Sequence, residues 1–405
     1  MSCSGQGLIS LDEAFVAYST VEPRVVQTLP LIQAHQHYLA QDVLSDIALP
    51  LFTQSAVDGY ALKSEDINAG ITEFELVGEI RAGIEEHIQI ESGQCVRIFT
   101  GGKLPDSADT VARQEIVSKT NSRISLNQAI KKGVDIRYQG EELSVGAILA
   151  NEGQYLKSGL VAALGMAGVK EVKVFNHPSI AVLITGDEVS QSLDNDAKVF
   201  DANSPMILTW LHERGFHTVH IEHVIDDEVI LKKALANALD HYDLVVTTGG
   251  VSVGDYDLIR PVSQALGAKE IFWQVAQKPG KPIYFAEYKK QNHASYLLGL
   301  PGNPAAVFVC LEIHLSTLLK AMQGLKDPKP EWQKALLSDS VKGDSREQLL
   351  RMKLKVDEQG QLSVSKLKKQ QSHMLSNLSE ANVIGRIPVF NNPENSPQFI
   401  EFISL

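Results

Sequence analysis

In the middle third of this 405-residue chain, apolar runs stop abruptly at residues able to do chemistry. Ile180–Ile184 runs into Thr185-Gly-Asp-Glu188, and Leu244–Val246 into Thr247-Thr-Gly-Gly-Val-Ser-Val-Gly-Asp-Tyr-Asp257. Ile271–Val275 leads to Lys278-Pro-Gly-Lys-Pro282, and Tyr296–Leu298 to Gly299-Leu-Pro-Gly-Asn-Pro304. Successive glycines at 249, 250 and 254 let backbone N–H groups approach a phosphate or a pterin-like edge, although a tight turn needing positive φ at Gly249 or Gly250 reads the same way. Lys278 and Lys281 flank a turn stiffened by Pro279 and Pro282; they suit an oxyanion held by point charges, or are two solvated lysines. Asp187, Glu188, Asp226, Asp255 and Asp257 supply hard oxygen donors for a divalent cation such as Mg²⁺. Asp226-Asp227 also precedes a helical stretch and fits an N-cap.

The elements that must position these residues follow from periodicity. Continuous apolar strands alternate with the helical stretches Pro205–Arg214 and Asp227–Leu239, the pattern of a parallel sheet covered on both faces. In such a sheet the strand ends share one edge, where open α/β folds bind ligands. The helix Ala305–Met322 closes this part. Upstream, Leu8–Ala40 reads as helix, with Ser10 and Glu13 spaced as a capping box. Short strands follow at Phe74–Val77, Cys95–Phe99, Thr110–Val117 and Arg123–Leu126. Gly159–Val169 reads as a helix returning to pack on the first. After the linker Gly324–Pro330, Arg351–Val356 and Gln361–Leu367 alternate with period two around Asp357–Gly360, a hairpin. The expected fold class is multidomain α/β, with four parts. A helical linker domain comprises 8–45 and 143–172, a β-rich domain at 46–142 is inserted in it, a central parallel-sheet domain covers 173–325, and a small C-terminal β-barrel covers 326–405.

Composition sets bounds on function. With 37 basic and 49 acidic residues the net charge is −12, which excludes the basic footprint of non-specific nucleic-acid binding. The longest nearly apolar stretch, Gly159–Val169, is shorter than the roughly 20 residues of a membrane span. The start shows no basic region leading into an apolar core, and Cys3, Cys95 and Cys310 make neither a disulfide framework nor a zinc pattern, so a cytoplasmic location is expected. The histidines lack ligand spacing. Gln54–Ala61 and Phe99–Pro105 are loop-like, and Asp58-Gly59 and Thr100-Gly101 read as turns.

Seven stretches taken together resemble the molybdopterin molybdenumtransferase family, bacterial MoeA and the E domains of gephyrin and its plant counterpart. They are Ser55–Ala61, Thr100–Pro105, Thr185–Glu188, Asp201–Asn203, Thr248–Gly254, Lys278–Pro282 and Gly299–Pro304, in the family's order. The resemblance implies insertion of molybdate into adenylyl-molybdopterin with release of AMP, the last step of molybdenum cofactor biosynthesis, with Mg²⁺ as cofactor. It makes the central domain the molybdopterin-binding one and the protein an elongated homodimer whose active site lies between subunits. Asp58, Thr100 and Glu142 would then act catalytically, the first two in trans. Glu188, Asp226 and Asp257 would be catalytic and metal-holding. Thr248, Gly249, Gly250, Ser252, Gly254, Pro301, Asn303 and Pro304 would bind substrate, and Lys278, Lys281, Arg351 and Ser372 would hold the oxyanion. A partner adenylyltransferase and recipient molybdoenzymes are the implied associates. Two other activities fit parts of the pattern: a molybdopterin adenylyltransferase, which shares the glycine-loop architecture, and a dimeric scaffold like the gephyrin E domain.

Overall fold

The computed structural model describes residues 8–186, 189–190, 198–252, 257–290, 293–392 and 396–405. The chain forms two compact units. One holds Met1–Thr28, Gln36–Ala40 and Lys173–Leu405; the other holds Leu29–His35 and Gln41–Val172.

The first unit is built on a six-stranded sheet in the order Val219–Val224, Ile180–Thr185, Leu244–Thr248, His293–Leu300, Tyr284–Lys290, Lys269–Trp273. The first four strands are mutually parallel. Tyr284–Lys290 is antiparallel to both of its neighbours, so Lys269–Trp273 runs with the majority again. One reversed strand thus qualifies the expected parallel sheet. Because successive side chains point to opposite faces, the strands sort into two cores. Ile180, Val182, Ile184, Leu244 and Val246 pack on one side with Ile207 and Leu211 of the helix Asn203–Glu213. Ala181, Leu183, Val245 and Leu297 pack on the other with Leu231 and Leu235 of the helix Glu228–His241.

The N-terminal helix is shorter than the sequence suggests. Only Leu11–Tyr18 is helical; its capping box is present, with the Glu13 N–H donating to Ser10 Oγ at 3.2 Å and Glu13 Oε2 accepting the Ser10 N–H at 2.7 Å. Beyond Ser19 the residues Thr20-Val-Glu-Pro23 and Val25-Val26 favour extended backbone, since proline and β-branched side chains oppose another turn. Leu11, Ala14, Phe15 and Tyr18 are buried in the α/β core. The helix Ser158–Met166 belongs to the other unit and buries only Leu164.

Pro304–Met322 is long and apolar enough by composition to cross a membrane, yet 83% of its window is buried inside the protein. It is a core helix, with a π turn at Leu311–Leu315. The π turn accompanies two polar side chains in the interior, Glu312 and His314. Trp210 Nε1 and the Arg214 guanidinium donate to Glu312 at 2.7 and 3.0 Å.

In the C-terminal part, Glu347–Val356, Leu362–Lys366, Gln333–Leu337, Phe399–Ser404 and Val383–Ile387 form a five-strand barrel, closed by pairing of the last with the first. The expected hairpin is present, Asp357 accepting the N–H groups of Gln359 and Gln361. A two-residue strand from the sheet domain, Gln277–Lys278, pairs with Glu347 and Gln348.

The second unit contains a six-stranded sheet in the order Thr110–Arg113, Gly59–Leu62, Gln94–Ile98, Glu73–Ile80, Arg123–Leu126, Val117–Thr120. Thr110–Val117 is two strands, not one: the 3₁₀ turn Gln114–Ile116 interrupts it where the Gln114 N–H donates to the Asp58 carbonyl at 3.0 Å.

Candidate functional site

Three of the chemically marked strand ends meet. The Gly249 N–H donates to the Leu300 carbonyl at 3.0 Å, joining the glycine loop to the Gly299–Pro304 turn. Thr185 Oγ1 donates to the Thr248 carbonyl at 3.0 Å, adding the loop after Ile180–Thr185. Gly249 and Gly250 have φ of +85° and +65°, and a Cβ on Gly249 would stand 2.9 Å from Thr185 Oγ1, so both conformation and space call for glycine. The Gly249 amide thus bonds to the Leu300 carbonyl, tying the two loops together. The indole of Trp273 steadies the loop by donating to the Val251 carbonyl at 3.0 Å. Among the described residues, the buried hydroxyls of Thr247 and Thr248 and the Asn203 Oδ1 have no hydrogen-bond partner, although Asn203 Nδ2 donates to the Gly302 carbonyl. Polar atoms buried without partners are costly. Ser252 is exposed, and Gly254 lies outside the described residues.

The Gly299–Pro304 turn leads into a second feature. Pro301 and Asn303 line a cavity of about 710 Å³ shared with the Lys278–Pro282 loop and the barrel. Pro304 occupies the first turn of its helix, where its missing N–H does no harm. Asn303 Nδ2 donates to Ser372 Oγ at 3.2 Å, so the turn and the barrel loop touch. The wall carries Lys278 and Lys281 together with Lys342, Arg346, Lys366, Lys368 and Lys369, and no carboxylate is among its lining residues. Asp344 stands behind it, 2.9 Å from Lys278 Nζ; that hydrogen bond draws its carboxyl below the usual range. The sequence marked Lys278, Lys281 and Ser372 but missed the five barrel cations. The density of lysine in Lys366-Leu-Lys-Lys369, at the end of an alternating strand, was the available signal.

Arg351 is engaged by the barrel's own backbone. Its side chain is 1% exposed, and its guanidinium donates to the carbonyls of Met374 (2.6 Å), Lys369 (3.0 Å) and Gln371 (3.2 Å). It lies under the cavity wall and shapes the 369–374 loop that presents Ser372. Five fixed donors make arginine suited to several carbonyls at once.

The acidic group is distributed along the sheet edge. Asp226 follows Val219–Val224, and Asp257 follows the glycine loop; these strands flank the one that ends at Thr185. Asp226 is not the helix cap: Asp227 caps, its Oδ1 accepting the N–H groups of Val229 and Ile230. Asp187, Glu188 and Asp255 lie outside the described residues, and among the described ones no group of three or more ligating side chains converges. Asp201 of the Asp201–Asn203 motif accepts the N–H groups of Asn203 and Ser204 and pairs with His223 Nε2 at 2.8 Å. Burial opposes its charge, but these bonds prevail and its carboxyl sits below the ordinary range.

In the second unit, two apparent turns are one construction. Gly59 pairs with Ile98 across the sheet, which brings Asp58 against Thr100. Asp58 Oδ1 accepts the Thr100 N–H at 2.9 Å and its hydroxyl at 2.8 Å. A Cβ on Gly59 would collide with the Ala112 carbonyl oxygen, so glycine is required there. Glu142 is exposed on a loop whose N–H bonds to the Leu49 carbonyl.

Comparison with known proteins accounts for this combination. Residues 9–168 match the MoeA N-terminal region (domain I and II), 181–321 a probable molybdopterin binding domain, and 334–393 the MoeA C-terminal region (domain IV). The molybdopterin molybdenumtransferase of Staphylococcus epidermidis is 32% identical over 337 residues, covering 80% of this chain and 78% of that one. That of Staphylococcus aureus is 32% identical over 335 residues, with the same coverage. The crystal structure of the molybdopterin biosynthesis MoeA protein from Pyrococcus horikoshii OT3 superposes with a TM-score of 0.79 at 25% identity, covering 98% of this chain and all of that one. A central sheet edged by a glycine loop, a basic cavity closed by a five-strand barrel, and these matches along nearly the whole length place the chain in the molybdopterin molybdenumtransferase family of molybdenum cofactor biosynthesis.

Proposed function

We propose that this protein inserts molybdate into adenylyl-molybdopterin and releases AMP. The observation that carries this reading is the cavity of about 710 Å³, walled by seven cationic side chains and opening beside the Gly299–Pro304 turn. A tetrahedral dianion is held well by convergent lysines, which act as point charges without demanding planar geometry. The clustered charge also concentrates anions locally, against an overall charge of −12.

Asp226 and Asp257, with Glu188, would hold Mg²⁺. The described carboxylates are hard oxygen donors on one sheet edge, and Mg²⁺ typically takes only one or two protein carboxylates alongside substrate phosphates and water. When bound, the ion would offset repulsion between the adenylate linkage and the incoming dianion. Lys278 and Lys281 place the oxyanion, Ser372 and Asn303 border it, and the fixed loops exclude misoriented approach. Catalysis is positioning and electrostatic stabilisation, without a covalent enzyme intermediate.

The working form we propose is a homodimer in which Asp58 and Thr100 complete the partner's site. The helix Ser158–Met166 supports this: it is apolar, yet Ala162, Ala163 and Met166 are exposed in the single chain. The test supplies adenylyl-molybdopterin, Mg²⁺ and micromolar molybdate and measures AMP. Molybdate-dependent release is expected; its absence removes the transferase reading. A strictly monomeric mass by light scattering removes the shared site.

A further inference from the structure

Behind the lysine loop lies a chain of three fully buried polar side chains. Tyr18 Oη is 3.0 Å from His314 Nδ1, and His314 Nε2 is 2.8 Å from Gln277 Oε1. Gln277 Nε2 reaches the carbonyls of Pro279 (3.1 Å) and Gly280 (3.3 Å). All three residues are 0% exposed. Chemistry fixes the direction of every bond. A carboxamide nitrogen only donates, so the Gln277 oxygen must accept. His314 Nε2 therefore carries the proton, its Nδ1 is an acceptor, and the Tyr18 hydroxyl donates to it. Burial keeps the imidazole neutral, its pKa pushed down to about 3, as this tautomer requires.

We infer that Tyr18, His314 and Gln277 form a one-way hydrogen-bond relay that sets the position of Lys278 and Lys281, with Gln277 as a positioning residue for the oxyanion cavity. The inference rests on reading that cavity as the molybdate site. Gln277 sits at the start of the loop and its amide folds back onto the two residues between the lysines. The loop presses on it closely: Gly280 has φ +86°, and a Cβ there would fall 2.7 Å from both Gln277 Nε2 and Cys310 Sγ. The Gln277 carbonyl in turn accepts from Arg346 Nη1 at 3.3 Å, and Arg346 is itself in the cavity wall. One buried residue thus ties the N-terminal helix and the π turn to the lysine loop through its side chain, and to Arg346 through its main-chain carbonyl. Lysine side chains are flexible, so their usefulness depends on how firmly their backbone is held.

The test compares Gln277→Met and Gln277→Glu with wild type, using molybdate as the probe in calorimetry and in steady-state turnover. Methionine keeps the volume and removes the side-chain hydrogen bonds to His314, Pro279 and Gly280, leaving the main-chain carbonyl for Arg346. Glutamate keeps the acceptor for His314 but has no donor for Pro279 and Gly280. Leu319→Ala, in the same buried helix, controls for lost stability. The expected result is that both Gln277 variants raise the molybdate Kd and KM by about tenfold, with kcat at saturation within about twofold of wild type. Leu319→Ala should lower Tm and leave KM unchanged. Unchanged KM in both Gln277 variants overturns the inference, as does a loss that matches Leu319→Ala. If wild type itself binds no molybdate, the oxyanion reading fails first and takes the inference with it.

Discussion

The Asp58 carboxylate accepts both polar hydrogens of Thr100, the N–H at 2.9 Å and the hydroxyl at 2.8 Å, although the two residues belong to separate loops. The bond from the Thr100 N–H, then that from its hydroxyl, holds the Asp58 carboxyl below its usual range. Thr100→Val should raise the Asp58 pKa but leave it below the ordinary value, because the N–H remains. A ¹³C titration of the Asp58 carboxyl measures this. If Asp58 completes the partner's site as proposed, Asp58→Asn should lower kcat by about a hundredfold in the molybdate-dependent AMP assay, the scale of one lost electrostatic contact to the transition state.

The cationic cavity predicts a graded response to charge. Lys278→Ala and Lys281→Ala should each weaken molybdate binding by about tenfold, the scale of one charge-assisted contact. Asp344→Asn keeps an acceptor for the Arg346 N–H while cancelling the negative charge beside Lys278, and should tighten binding. Raising the ionic strength should erode all of these differences. Calorimetric titration at two salt concentrations reads each effect.

Arg351 and Ser372 should separate cleanly. Arg351→Lys leaves buried carbonyls without donors, since an ammonium cannot span Lys369, Gln371 and Met374; it should cost about 2–4 kcal/mol of stability and carry molybdate binding down with it. Ser372→Ala should weaken binding with a wild-type Tm. Thermal unfolding and calorimetry on the same preparations decide between these patterns.

Stability should fall as the solution is acidified through the histidine range. Burial, then the neighbouring His37, pushes the His177 pKa down to about 4, and burial pushes His314 to about 3. Below about pH 6.5 the unfolded chain takes up protons at both residues while the folded chain does not, so unfolding becomes easier by about 1.4 kcal/mol per pH unit for each histidine. This contribution is intact above pH 7 and is lost progressively down to about pH 4 for His177 and pH 3 for His314. Denaturant titrations between pH 7.5 and 4.5 should show it, and His177→Phe should flatten the slope.

Local patterning carried much of the architecture. Ile180–Ile184 reads as a buried strand because its neighbours on both faces are apolar, and Ser10/Glu13 mark a helix start through bonds only three residues long. What stayed hidden depended on distant partners. Nothing near Asp58 reveals that Thr100 will fill it, since the pairing of Gly59 with Ile98 decides that. Arg351 looks like any cation until three carbonyls from 369–374 close around it. Leu8–Ala40 misled because its early periodicity is helical, whereas Pro23 and the valines that follow end the pattern after two turns. The barrel's lysines were legible only as surface charge; the loop packed opposite them makes them one wall.

The short Gln277–Lys278 ladder has a further implication. Those two residues belong to the sheet domain by connectivity but to the barrel by main-chain pairing. Severing the tether at 324–330 would consequently leave the barrel still stitched to its host, and the pair should melt as a single cooperative block. Shifting the stitch by one residue would swing Lys278 away from its wall.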